Sequence, residues 1–263
     1  MPDTDPDLWA LFQDLRYAAP RPHPLYGPCF VAEGRILVAD LLAWGRAGRM
    51  RVAAVLAEEA QAESVRPLLP AGTTLLTAPR ANLEALTGFP FHRGLLAAAS
   101  LPVPPGPEFL RAARRVLVLP GLADAENLGL LLRTAAALGL DGAVLGPGPD
   151  PFSRRTVRVS MGASWKLPLW RVDDVWNTLE TWRSEGGEVA GAALGPEALP
   201  VRQWQPPVRT ALVLGPEGPG LSAEDLAHCD RTVRIPMAKG VDSLNVAAAG
   251  AILMHWLADP GPA

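Results

Sequence analysis

Short apolar runs alternate with amphipathic stretches along the 263-residue chain. In its first part, Arg51 to Leu56, Thr73 to Thr77 and Gly94 to Ala99 are compact apolar runs that read as strands. Ile36, Leu37, Leu41, Leu42 and Trp44 recur at the spacing of one helix face, which predicts a helix over 34–47. Asp7 is placed to cap a helix running to about Tyr17, and shorter helices are expected near 61–69 and 79–86. This alternation predicts a small αβα sandwich. Further on, strands are expected at Arg115–Leu119, Gly142–Leu145, Glu188–Ala193, Thr210–Leu214 and Thr232–Ile235. Helices are expected near 127–138, 153–160, 173–185, 222–228 and 244–257. These strand runs lack the two-residue alternation of a half-exposed sheet, so they predict a parallel sheet covered on both faces. Ligands of such sheets bind beyond the carboxyl ends of the strands. That rule directs attention to the loops after Leu119, Leu145, Leu214 and Ile235.

The segment Leu101-Pro102-Val103-Pro104-Pro105-Gly106-Pro107 cannot continue a helix or a central strand. It marks a stiff connector over 101–108 between a domain at 1–100 and a larger one at 109–263. A hydrophobic fraction of 49% excludes a disordered chain. No apolar run approaches the ~18 residues a membrane helix needs. The start, Met1-Pro2-Asp3-Thr4-Asp5-Pro6-Asp7, has neither the basic start and apolar core of a signal peptide nor the Arg-rich character of a transit peptide, so the expected location is the cytoplasm.

With 24 basic and 27 acidic residues the net charge is −3, which excludes a globally basic nucleic-acid binder but permits a local basic face. Only Lys166 and Lys239 are lysines; the arginine excess fits the coding bias of a GC-rich genome and assigns nothing by itself. Arg154 and Arg158 share a face of an expected helix, and with Arg155 they are candidate phosphate contacts for RNA. Arg35, Arg46, Arg49 and Arg51 form a looser cluster. Cys29 and Cys229 are too few and too far apart for a disulfide framework or a metal knuckle, and read as partly buried thiols. His23, His92, His228 and His255 are scattered and read as structural; with no ligand cluster, no metal is expected.

Three of the strand-end loops carry unusual chemistry. After Leu119 comes Gly121-Leu122-Ala123-Asp124-Ala125-Glu126-Asn127-Leu128-Gly129, with Arg133 six residues past Asn127 on an otherwise apolar helix. A lone Arg there needs an acceptor if buried. After Leu214 comes Gly215-Pro216-Glu217-Gly218-Pro219-Gly220-Leu221-Ser222. Its spacing is neither the dinucleotide fingerprint nor a P-loop, and by itself it also suits a tight turn capped by Ser222. After Ile235 comes Pro236-Met237-Ala238-Lys239-Gly240-Val241-Asp242-Ser243-Leu244-Asn245, ahead of an Ala- and Gly-rich helix. Ser243 there reads equally as a helix cap.

In content, order and spacing these loops resemble the three signature motifs of the SpoU (TrmH-like) RNA ribose 2′-O-methyltransferases of the SPOUT class. They correspond to D-P-x-N-L-G with a following Arg, G-[SNP]-E-G-x-G-[LI], and I-P-M-x-x-x-V-[ED]-S-L-N-V. Ala125 replaces the usual Pro of the first motif. Ser160-Met161-Gly162-Ala163 is similar to a weaker family stretch. Glu33-Gly34 and Phe91-His92-Arg93-Gly94-Leu95-Leu96-Ala97 are similar to the family's substrate-binding domain.

The resemblance implies an α/β SPOUT domain with a parallel sheet and a deep trefoil knot, a rare exception to the no-knot rule. It implies S-adenosylmethionine bound by Gly215, Ile235 and Leu244, with Leu214, Gly218 and Met237 close by. It implies a homodimer with the active site at the interface and RNA, ribosomal or transfer, as substrate. Arg133 is implied as the catalytic group, assisted by Asn127 and Glu217, with Ser243 and Asn245 near the target nucleotide. An Arg with pKa above ~12 suits electrostatic stabilisation better than proton abstraction. Two other readings stand beside this one: a SPOUT enzyme acting on an RNA base, and a catalytically silent RNA-binding or ribosome-assembly protein.

Overall fold

The computed structural model describes residues 5–16, 19–91 and 94–258. Tyr17, His92, Arg93 and the first four residues of the acidic start lie outside the described residues. The first elements are α1 (Pro6–Ala10), β1 (Arg21–His23), β2 (Gly27–Glu33), α2 (Arg35–Arg46), β3 (Val52–Glu58) and α3 (Ala62–Val65). They continue with β4 (Thr74–Ala78), α4 (Arg80–Thr87), β5 (Leu95–Ser100), α5 (Pro107–Ala112), β6 (Arg115–Leu119) and α6 (Ala125–Ala137). Next come β7 (Gly142–Leu145), α7 (Arg154–Val159), α8 (Ala163–Lys166), β8 (Leu169–Arg171), α9 (Val175–Ser184) and β9 (Glu188–Ala192). The last are β10 (Leu199–Pro200), β11 (Thr210–Val213), α10 (Ala223–Ala227), β12 (Arg231–Arg234) and α11 (Val246–Ala258).

The chain forms two compact units. One joins residues up to Val103 with Asp150–Trp165; the other joins Pro104–Pro149 with the residues from Lys166 onward. The assignment of 109–263 to a single contiguous domain is therefore corrected, because Asp150–Trp165 belongs with the first unit. The expected connector is also shorter at its end, since α5 starts at Pro107, where a proline suits the first helical position.

In the first unit, five described strands form a sheet in the order β1-β2-β5-β3-β4, with β3 and β4 parallel and the other pairs antiparallel. The two-residue period of a strand sends alternate side chains to opposite faces. Phe30, Ala32, Val55 and Ala57 meet Leu37, Val38, Leu41 and Leu42 of α2 on one face. Val31, Ala54 and Leu56 meet Leu8, Phe12, Leu15 and Leu83 on the other. The first face is completed from far along the chain: Trp165 stacks on Phe30 with ring centroids 5.5 Å apart, and Phe152 and Val157 join the same cluster.

Arg154 fastens this segment. Its guanidinium pairs with Glu33, donates to the Leu15 carbonyl at 2.9 Å and lies 4.3 Å over the Phe89 ring. Both side chains of the ion pair are largely buried, 16% exposed for Arg154 and 8% for Glu33. Expected on an RNA-facing surface, Arg154 instead spends its charge inside the first unit. Arg155 is exposed and Arg158 half-buried. In the looser cluster, Arg46 donates to the Leu68 carbonyl, Arg49 lies over Trp44 and Arg51 over Tyr26.

In the second unit, seven described strands form an all-parallel sheet in the order β10-β12-β9-β11-β6-β7-β8. Val116, Val118, Val189 and Val213 pack with Val175, Leu179 and Trp182 of α9. Helices α6 and α11 pack against each other, and a Cβ at Gly250 would lie 2.4 Å from Leu131 Cδ2. That close approach is why α11 carries a glycine in its middle. Its far end is held by Arg115, which donates to the Ala258 carbonyl at 2.6 Å, and by Trp256, which donates to the Trp204 carbonyl at 2.8 Å. No helix among the described residues is long and apolar enough to cross a membrane.

Candidate active site

β12, β9 and β11 are neighbours in the sheet, and the residues just past their carboxyl ends wall a cavity of about 310 Å³. Leu214, Gly215 and Gly218 enter it after β11, Ile235 and Met237 after β12, and Leu244 ahead of α11. These are the six residues expected at a cofactor, and Glu217, Ser243 and Asn245 share the same wall. Sequence reasoning missed Ala193 and Leu194 beyond β9, and Ala249 and Leu253 on α11. The carboxyl-end rule, applied also to the strand ending near Ala193, would have found the first pair.

The glycines of the second loop do different work. A Cβ at Gly215 would lie 2.4 Å from Gly220 C and Leu221 N, so the loop can fold back on itself only with hydrogen there. Gly218 meets nothing within 4 Å but has φ of +88°, a conformation side chains disfavour. The loop ends on Ser222, which caps α10 in a reciprocal capping box with Asp225.

A hydrogen-bond chain ties the three motif loops together. Asn245 Nδ2 donates to Asn127 Oδ1 at 3.1 Å, and Asn127 Nδ2 donates to Glu217 Oε1 at 2.6 Å. Glu217 Oε2 accepts from the Ala123 N–H at 3.4 Å. At the other end, Asn245 Oδ1 accepts from Ala247 N at 2.9 Å and so caps α11. The helix begins at Val246, two residues later than expected, and its cap is Asn245, not Ser243. Asp124 caps α6 by accepting from Glu126 N and Asn127 N at 2.8 and 2.9 Å, which aims the Asn127 side chain out of the helix start. From Ala247 through Asn245 and Asn127 every bond runs in one direction and ends on Glu217, which accepts from both sides, so each amide orientation is fixed by its neighbours.

Arg133 does not join them. Six residues at about 100° each place it roughly 240° around α6 from Asn127. It is exposed, and it lines a shallow depression with Leu130, Thr134, Ala137, Leu138, Ala251 and His255. No ion pair holds its guanidinium among the described residues, so the expectation of a buried acceptor gives way to a solvated charge.

Neither thiol is poised as a nucleophile: burial pushes Cys29 up to about 11, and burial followed by Asp230 and Asp225 pushes Cys229 up to about 12. Of the described histidines, His23 is buried edge-on to Tyr26, His228 stacks on Trp176, and His255 is exposed. Among the described residues no group of three or more His, Cys, Asp or Glu is arranged to hold a metal ion.

The second unit is thus a parallel α/β unit with a cavity beyond three adjacent strand ends, rimmed by an Asn-Asn-Glu chain. The model of the SpoU rRNA Methylase family matches residues 114–255, which contain all three loops. The uncharacterized tRNA/rRNA methyltransferase Rv0881 of Mycobacterium tuberculosis is 38% identical over 263 residues, spanning 95% of this chain and 89% of that protein. The 23S rRNA (guanosine(2553)-2'-O)-methyltransferase RlmP of Bacillus subtilis is 37% identical over 151 residues, 57% of this chain and 60% of that protein. Among solved structures, the AdoMet-bound rRNA methyltransferase from Sinorhizobium meliloti superposes with a TM-score of 0.73 at 26% identity, covering 88% of this chain and 86% of that one. The chain belongs to the SpoU family and is an RNA methyltransferase.

Proposed function

We propose that this protein transfers a methyl group from S-adenosylmethionine to a ribose 2′-hydroxyl of ribosomal or transfer RNA. The observation that carries the reading is the Asn245–Asn127–Glu217 chain, which joins the three loops at the rim of one cavity. The cavity suits the cofactor chemically. Leu214, Ile235, Met237 and Leu244 offer apolar surface to an adenine and a methionine chain, the close-packed Gly215 turn brings backbone groups to the wall, and Glu217 sets negative charge at the rim for a cationic ligand. The bound cofactor supplies an electrophilic methyl group. The exposure of Ser243 and Asn245 at the rim supports a role for both in meeting the target nucleotide. The relative RlmP, by its name a ribose 2'-O-methyltransferase, supports the ribose over a base.

Arg133 stabilises the developing oxyanion as a permanent cation. Because it faces away from its own chain's cavity, the reading includes a homodimer. Leu130 at 38% exposure and Ile252 at 42%, on the helices that carry the Arg133 depression, support a second copy packing there. The reading also includes the trefoil knot at motif three, the first unit as an RNA-binding domain and a cytoplasmic location.

The test is transfer of radiolabelled methyl groups to total RNA from a strain lacking the protein, followed by alkaline cleavage mapping. A 2′-O-methyl group blocks cleavage at one phosphodiester. Label without a protected bond would identify a base methyltransferase, and no label would identify a silent RNA-binding protein.

A further inference from the structure

RNA carries a phosphate at every nucleotide, yet the loops around the cavity are acidic. Segments 120–127, 192–198, 214–222 and 235–245 hold Asp124, Glu126, Glu197, Glu217 and Asp242 against one cation, Lys239. Asp124 is taken up as the cap of α6 and Glu217 by Asn127, but their charge remains and repels a polyanion. A substrate strand reaching the rim needs a compensating charge close by.

Lys239 is placed to supply it. The Val241 N–H donates to the Ala238 carbonyl at 3.2 Å, closing a turn with Gly240 in third position at φ +86°. Type II turns require a positive φ at that position, and they put the second residue, here Lys239, at the corner. The turn stands between Met237 and Ser243, both of which line the cavity. Lys239 is exposed, and among the described residues no ion pair engages it, Asp242 included. It is one of two lysines among 24 basic residues. A compact ammonium on a flexible stem follows a phosphate without the fixed planar geometry an Arg fork demands.

We propose that Lys239 is the phosphate-contacting residue of the cavity mouth and positions the RNA backbone beside the target nucleotide. This rests on the RNA methyltransferase reading above. A phosphate contact of this kind is made in the ground state and the transition state alike, so it acts on KM and not on kcat.

The experiment compares wild type with Lys239→Ala, Lys239→Arg and Lys239→Glu. It measures methyl transfer to total ribosomal and transfer RNA from the deletion strain, filter binding to the same RNA across a salt titration, and S-adenosylmethionine affinity by calorimetry. Lys239→Ala is expected to raise KM for RNA about fivefold with kcat within about twofold. Its log–log salt slope should be shallower by roughly 0.7–0.9, one lost phosphate. Lys239→Arg should restore both, Lys239→Glu should exceed the alanine effect, and cofactor affinity should hold throughout. Unchanged KM and slope in Lys239→Ala would overturn the inference while wild-type transfer kept the functional reading intact. A parallel loss of cofactor affinity would also overturn it, because the turn would then be shaping the cavity. If wild type transfers no methyl to RNA, the functional reading fails and this inference fails with it.

Discussion

Replacing Asn127 by Ala removes the middle link of the chain joining the three loops. Glu217 Oε1 then loses a donor at 2.6 Å, and Asn245 Nδ2 loses its acceptor at 3.1 Å. A hydrogen bond to a charged group contributes about 1.5–3 kcal/mol and a neutral one about 0.5–1.5. The first bond is half-buried and the second exposed, so each sits near the bottom of its range, together about 2 kcal/mol. Amides held at the two ends report this directly: Ala123 N–H on Glu217 and Ala247 N–H on Asn245. If loosening one loop frees the others, hydrogen exchange should speed up at both, about tenfold or more, since 1.4 kcal/mol is a factor of ten in an opening equilibrium. At Ala247, whose own acceptor neither change removes, Asn127→Ala/Glu217→Ala should exchange little faster than either single variant, because the shared bond is lost only once. Faster exchange confined to the start of α6, with Ala247 unchanged, would refute the idea of one connected element. So would strictly additive effects of the double variant at Ala247.

Gly215→Ala should abolish cofactor binding in calorimetry, because its Cβ would strike backbone at 2.4 Å, whereas Gly218→Ala should cost about 1–2 kcal/mol through its φ of +88° alone. Arg154→Ala should leave the RNA salt slope unchanged while costing about 1.5–3 kcal/mol of stability in a thermal melt, since it removes a largely buried, charge-assisted hydrogen bond to Glu33; a flatter slope at wild-type stability would return Arg154 to the RNA-binding surface. The thiols link stability to alkali: with folded values of about 11 and 12 against 9.0, the unfolded chain releases protons first. Their contribution is thus complete below pH 9 and declines as pH rises towards 12. Cys29→Ala/Cys229→Ala should flatten the decline in denaturant titrations over that window.

Most strands were legible because their runs are continuous and apolar. RVLVL at β6 and TALV at β11 need no tertiary context to be read. β2 was missed because Gly27-Pro28 at its start looks like a turn, and β8 because three residues after Pro168 give no pattern. The expected α1 stops at Ala10 with Asp5 as its cap, since Asp5 accepts from the Asp7 N–H. The site was legible wherever it is made of consecutive residues, as in the loops after β11 and β12. The Arg133 placement was also within reach, because helical geometry alone separates it from Asn127. The membership of Asp150–Trp165 was not, since nothing in Phe152, Val157 or Trp165 says which sheet they will cover.

The discontinuous first unit has a consequence for how the protein is made. Phe30 and the α2 face of its sheet wait for Phe152, Val157 and Trp165, the last of which emerges from the ribosome roughly sixty residues after Val103. At about 5–20 residues per second the nascent chain carries this face with α2 as its partial cover for about 3–12 s. Two genes cut between Val103 and Pro104 would make that interval permanent for one product and leave the other with an orphan apolar segment. No single cut in the sequence can therefore separate the two units whole, because the first is written in two pieces with part of the second between them.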